Sequence, residues 1–205
     1  MKKIVFIFFF STSLMAQEAL PFREIGNAPQ DYTAGNLISR MIEGLGFRYY
    51  WATEGLAVVD MAYQPSPDAR SLYETLEHIY GLCNVISNIA LVRPNVRPPE
   101  AIPADFESLR KATLEHLQTA QKIFLSLDAE ALSKMEIIFE RGGEQQHFPL
   151  WNLLNGLLPD ALYHTGQVVV FRRLAGNPIA NGVNVFFRKK ELNTFFGQNY
   201  SMITA

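Results

Sequence analysis

The chain has one cysteine and no large excess of charge of either sign. A single cysteine, Cys83, excludes an internal disulfide. The 205 residues include 18 basic and 20 acidic side chains, so the chain lacks the basic character of a nucleic-acid-binding protein. It contains no internal repeat. Its hydrophobic fraction of 48% instead suits one globular domain with a sizeable core.

The amino terminus has the pattern of a secretory signal. Lys2 and Lys3 precede the apolar stretch 4–10 and the small or polar stretch 11–16, and the apolar part is shorter than the roughly 20 residues of a membrane span. We expect cleavage after Ala16, although Leu14 in place of a small residue leaves an uncleaved anchor as the alternative. Loss of two lysines from a chain of net charge −2 would leave a mature domain, 17–205, of net charge −4.

Four segments repeat their apolar residues with the helical period, over 33–56, 69–91, 104–127 and 149–175. Asp31 is the expected cap of the first segment, and 93–103 is expected to be an ordered crossover. Residues 135–139 and 146–148 flank a Gly-Gly pair and are typical of a short β-hairpin. We therefore predict an all-α fold, an up-and-down four-helix bundle with a hairpin between helices three and four and an irregular tail.

The fourth segment contains a polar interruption in an otherwise apolar line. Asp160 lies one turn before His164, and Gln167 lies about one turn after it, so the three share one helical face. A carboxylate and an imidazole beside a core are costly to bury, and a bound metal ion offsets that cost. Metal sites in bundles are built from facing helices, and His78 lies in the apolar stripe of the second segment. Pro159 predicts a kink just before Asp160.

The arrangement resembles the DinB-like superfamily of metal-binding four-helix bundles. Three stretches carry the resemblance: Tyr63 to Ser71 leading into His78, then Asp160 to Gln167, then Arg172 to Gly176. It implies a divalent ion held by His78, Asp160 and His164, in a metal-dependent hydrolase or a thiol-dependent transferase.

Two positions depart from the pattern of that superfamily. Asp160 replaces a histidine, which changes a three-histidine site into two histidines and a carboxylate, a set that accepts zinc, nickel, manganese or iron. Thr165 replaces an arginine, and Arg172 is the residue expected to take over as an anchor for an anionic substrate.

Several functions are compatible with these residues. The first is a metal-dependent hydrolase or transferase for a small molecule, in which Gln167 orients a ligand and Arg172 contacts the substrate. The others are a protein that binds metal or a small ligand without turnover, an iron oxygenase, and a metal-free polar cluster. His116 is expected to be solvated and His147 to lie on a strand or loop. Glu74 is expected to face solvent or to hydrogen-bond a metal ligand. A monomer and a homodimer both remain open.

Export is the first testable expectation. The signal pattern predicts a periplasmic or secreted protein without stable membrane insertion after cleavage. Mass spectrometry of the protein from its natural host should find a mature amino terminus near Gln17. Recovery of a species that retains Met1 in the cytoplasm would contradict this expectation.

Overall fold

The computed structural model of the protein describes residues 19–99 and 101–191. The predicted signal peptide, 1–16, and the end of the tail, 192–205, lie outside these described residues. The described part is mostly helical with a small sheet, as expected. Its α-helices are α1 (Ala34–Thr53), α2 (Leu72–Ala90), α3 (Phe106–Leu125), α4 (Ala129–Ser133) and α5 (Leu158–Leu174). Its strands are β1 (Asn95–Arg97), β2 (Glu136–Arg141), β3 (Glu144–Pro149), β4 (Val183–Asn184) and β5 (Lys189–Lys190).

The first three helices begin where side chains cap their free backbone N–H groups. Thr33, not the predicted Asp31, caps α1, because only the residue next to the first turn can accept from the N–H of Asn36. Ser71 caps α2 in a reciprocal capping box, in which its own N–H donates to the carboxylate of Glu74 at 2.7 Å. The predicted helices are thus confirmed with slightly shorter ends.

The long helices pack in a ring. Helix α3 contacts α1 and α2, and α5 contacts the same two helices from the other side. This order places α1 and α2 diagonally, whereas successive helices lie side by side in a simple up-and-down bundle. The mostly helical fold is therefore confirmed, with a neighbour order of the long helices that the sequence did not predict. None of the helices within residues 19–99 and 101–191 is long and apolar enough to cross a bilayer.

The hairpin is formed by β2 and β3 and extends further than predicted. Its turn is Gly142-Gly143, and both glycines have positive φ, which favours glycine in a tight hairpin turn. The predicted crossover supplies a third strand, because β1 pairs with β2 in parallel. Asn95 fixes this strand, since its side chain donates to the carbonyl of Ile138 and accepts from the side chain of Asn88 on α2.

Helix α5 is preceded by a π-helical turn, Leu153–Leu157, that the sequence pattern did not reveal. Pro159 has no N–H to donate to the carbonyl of Asn155, and the backbone widens before it: the N–H of Leu158 donates to Leu153, five residues back. The buried line consequently steps by five residues at this point and then resumes helical spacing. It contains Leu153, Leu158, Ala161, Thr165, Val168 and Arg172.

This line corrects the predicted one, in which Leu150, Leu154 and Leu157 preceded Ala161. Those three leucines are only half-buried, because the inserted residue turns the chain about 100° relative to a regular helix. The predicted kink at Pro159 is thus realised as a wide turn.

Arg172 ties the end of α5 to the end of α1, and this corrects its predicted role. Its side chain is 2% exposed, and its guanidinium donates to the carbonyls of Ala52 and Glu54 at 2.9 Å each and to Asn177. The carbonyls of Ala52 and Glu54 lie at the end of α1, where no following helical N–H is available to them. A guanidinium occupied in this way cannot also anchor a substrate anion.

This network predicts the effect of removing the guanidinium. Arg172→Met would leave buried carbonyls without donors, so we expect the free energy of unfolding to fall by about 3 kcal/mol. The neighbouring exposed residue provides the matched control, since Arg173→Met should change it by less than about 0.5 kcal/mol. Chemical denaturation of both variants measures the difference. Equal stability of the two variants would contradict the assigned role.

Candidate metal centre

Three side chains from two helices converge on one point between α2 and α5. The carboxylate of Asp160 lies 3.3 Å from Nε2 of His164 and 3.6 Å from Nε2 of His78. The two imidazole rings meet edge to face, with centroids 4.5 Å apart and an interplanar angle of 89°. One ligand atom of each residue lies within 4.8 Å of those of the other two, so the group could hold a metal ion. We call it the His-Asp-His group.

Local structure places each member of the group. His78 lies in the second turn of α2, whose start is fixed by the capping box at Ser71. Asp160 lies in the first turn of α5 directly after Pro159, and His164 follows one turn later on the same face. The wide turn before Pro159 therefore sets the rotation of α5 that directs both residues towards α2.

Gln167 contacts His164, as the helical spacing predicted. Oε1 of Gln167 accepts from Nδ1 of His164 at 2.8 Å. This bond places the ring proton on Nδ1 and leaves the lone pair of Nε2 directed at the group. The tautomer is the one that a metal-binding histidine requires when Nε2 is the ligand atom.

The surroundings of His78 favour the neutral form of its imidazole. Burial lowers the pKa of His78, the positive charge of Arg70 lowers it further, and His164 adds a smaller effect in the same direction. The carboxylate of Asp160 acts against these effects and does not outweigh them. An imidazole with a pKa below its usual value offers a free lone pair near neutral pH.

The carboxylate of Asp160 lies between the two imidazoles. Both N to O separations exceed the 2.7–3.2 Å range of ordinary hydrogen bonds. The two separations end on different oxygens of Asp160, Oδ1 for His164 and Oδ2 for His78. The side chains are partly exposed, 45% for Asp160 and 12% for His164, so an ion and a small molecule can reach them.

Two cavities adjoin the group. The smaller, of about 600 Å³, lies between the hairpin and the wide turn and is lined by Asp160 and Tyr163. The larger, of about 810 Å³, lies along α2 and is lined by His78 and His116. Both volumes fall within the range of small-molecule sites. The group can therefore be approached from two sides.

Glu74, His147 and His116 lie outside the His-Asp-His group. Glu74 caps α2 and is not a member of the group, in line with the expectation that it faces solvent. His147 lies on β3, where Nδ1 is 2.8 Å from the carboxylate of Glu136. His116 was expected to be solvated, but it is half-buried against the ring of Tyr80, and burial lowers its pKa.

Sequence reasoning also missed residues that line the cavities. Tyr163 packs its ring 5.2 Å from that of His164 and lines the smaller cavity, although its helical position resembles that of any exposed tyrosine. Arg93 and Arg97 line the larger cavity. Their position depends on the pairing of β1 with β2, for which the proline-rich crossover gave no periodic signal.

Comparisons with protein families, with curated proteins and with solved structures found no match to this chain. The case for a function therefore depends on the geometry of the His-Asp-His group and its surroundings.

Proposed function

We propose that this protein is a metal-dependent hydrolase or transferase of the DinB-like type, which acts on a small molecule. A divalent ion, either zinc, nickel, manganese or iron, is held by His78, Asp160 and His164. The observation that carries the proposal is the convergence of two imidazole nitrogens and one carboxylate from α2 and α5. Three ligands of this kind leave coordination positions open for a substrate, which is typical of catalytic rather than structural sites.

Two features beyond the ligands support the proposal. Gln167 orients His164 through Nδ1, and hydrogen bonds of this kind are typical of metal-binding histidines. A wide π-helical turn ends three residues before Asp160, and such turns are frequent at functional sites.

The residues of the chain have distinct tasks in this account. A divalent ion, when bound, supplies Lewis acidity towards a carbonyl, a phosphoryl group, water or a thiol. Asp160 lowers the net charge of the site by one unit relative to three neutral ligands, which favours harder ions. Gln167 holds the proton on Nδ1 of His164. Phe139 and Leu157 supply apolar walls of the two cavities.

Alanine variants of the three ligands test the proposal. His78→Ala, Asp160→Ala and His164→Ala should each reduce bound metal by at least about tenfold, because three shared ligands make the loss of one severe. Elemental analysis of protein purified without a metal-chelating tag measures the content, and circular dichroism reports whether the helices remain.

His147→Ala is the matched control, since His147 is an exposed histidine paired with Glu136 on the hairpin. It should retain the metal content of the unmodified chain. Full metal occupancy in two of the three ligand variants would refute the proposed site.

Asp160→His tests whether the carboxylate is a ligand. Imidazole can ligate from the same helical turn but is neutral, so the positive charge at the ion rises by one unit. Metal binding should survive, with a preference shifted towards zinc or nickel relative to manganese. Competition binding with these ions measures the shift. If the variant binds no metal, or keeps the original order of preference, Asp160 is not a ligand.

A further inference from the structure

The larger cavity lies between two parts of the fold. One wall is α2, where Gly81 leaves open space, since a Cβ at this residue would have no neighbour within 4 Å. The other wall is the crossover that contains β1. Of the His-Asp-His group, His78 lines this cavity, which also contacts residues further along α2. Its volume of about 810 Å³ accommodates a small molecule.

The lining of this cavity is biased towards positive charge. Arg93 and Arg97 contribute two cationic side chains, and Glu77 contributes one acidic side chain. Burial lowers the pKa of His116, which is also in the lining, and so favours its neutral form. The protein as a whole has a small negative charge, so the cations of this cavity are a local feature.

Within the described residues, these two arginines differ from Arg110 and Arg172, whose guanidiniums are bound by other groups of the fold. Arg110 pairs with Glu54, and Arg172 donates to backbone carbonyls. Among residues 19–99 and 101–191, no hydrogen bond or ion pair engages the side chain of Arg93 or Arg97. The guanidinium of Arg97 instead lies over the ring of Phe139, 5.5 Å from its centroid. Stacking of this kind restrains a guanidinium and leaves its N–H groups free to donate.

The backbone that carries Arg97 is held in place. Arg97 is the last residue of β1, which pairs with β2 in parallel. Asn95 links the same strand to α2 through Asn88 at 3.1 Å. The cation therefore has a fixed position relative to the helix that presents His78, as a positioned binding group requires.

We propose that this cavity binds an anionic small molecule, whose carboxylate or phosphate group is held by Arg97 together with Arg93. The planar fork of a guanidinium matches the paired oxygens of either group. Neutral polar side chains along the cavity, those of Asn84, Ser87 and Thr119, suit the uncharged part of the molecule. That this anion is the substrate of the metal centre rests on the function proposed above.

The test measures the affinity of the full chain for inorganic phosphate and for acetate by equilibrium dialysis. Protein freed of metal is used alongside protein as purified, so that binding to a metal ion is separated from binding to the cavity. Arg97→Gln should weaken binding of the preferred anion about tenfold, because it removes charge-assisted hydrogen bonds. Arg97→Lys keeps the charge but loses the planar fork of the guanidinium. Its anion affinity should lie between those of the unmodified chain and Arg97→Gln.

Arg173→Gln is the control, since it makes the same change of charge at an exposed arginine of α5 that does not line the cavity. It should keep anion affinity within about twofold, and Arg97→Gln should keep the metal content of the unmodified chain. Phosphate binding that depends on Arg97 identifies a phosphorylated ligand, and acetate binding that does so identifies a carboxylate. If Arg97→Gln and Arg173→Gln bind both anions equally well, the inference is wrong.

The outcomes separate the two proposals. If the chain binds no metal while its anion affinity depends on Arg97, the metal proposal fails and the anion cavity stands as a binding site. If the three ligands bind metal while anion affinity does not depend on Arg97, the metal proposal stands and the proposal of an anion site in the cavity is refuted. Denaturation curves of Arg97→Gln and Arg97→Lys show whether a loss of affinity reflects unfolding.

Discussion

The missing N–H of Pro159 is the constraint on which the candidate site depends. A regular helix through this residue would leave the carbonyl of Asn155 without its partner and would collide with the proline ring. The backbone widens instead, and Leu158 donates to Leu153 across a π-helical turn. The inserted residue rotates the rest of α5 by about 100°. That rotation buries Ala161 and Thr165 and leaves the neighbouring Asp160 and His164 at the boundary with α2.

Two polar networks hold the elements around the site. Arg172 satisfies carbonyls at the end of α1 and so fixes the far end of α5. Asn95 joins β1 to β2 and to α2. Both networks use buried side chains whose hydrogen-bonding groups have partners, and such groups are costly to leave unpaired. The geometry of the His-Asp-His group is therefore fixed by contacts at both ends of α5 and along α2.

Much of the helical fold could be predicted from the sequence, because apolar spacing reports directly on which residues face a core. The hairpin was predictable from alternation around Gly142-Gly143. The neighbour order of the helices was not, since amphipathic stripes show that a helix has a partner without showing which one. Strand β1 was also missed, because a short strand within a proline-rich crossover has no periodic signal of its own.

The candidate site, like the fold, could be predicted only in part from the sequence. The proximity of Asp160 and His164 follows from helical spacing, and Gln167 follows from the same rule. The position of His78 next to them depends on the packing of α2 against α5. Spacing within α2 could mark His78 as a candidate but could not place it there. Arg172 was expected to anchor a substrate, because helical spacing alone cannot distinguish an arginine that faces a substrate from one that caps a distant helix. His116 and Arg97 share this limit, since packing between separate segments brings them to one cavity.

X-ray absorption spectroscopy at the edge of the bound metal tests the central claim most directly. The account predicts scattering from two imidazole rings together with oxygen ligands, and no sulfur ligand, because Cys83 is buried away from solvent as a free thiol. The signal of one imidazole should disappear in His164→Ala and remain in His147→Ala. A metal environment without imidazole, or one that is identical in both variants, would contradict the account.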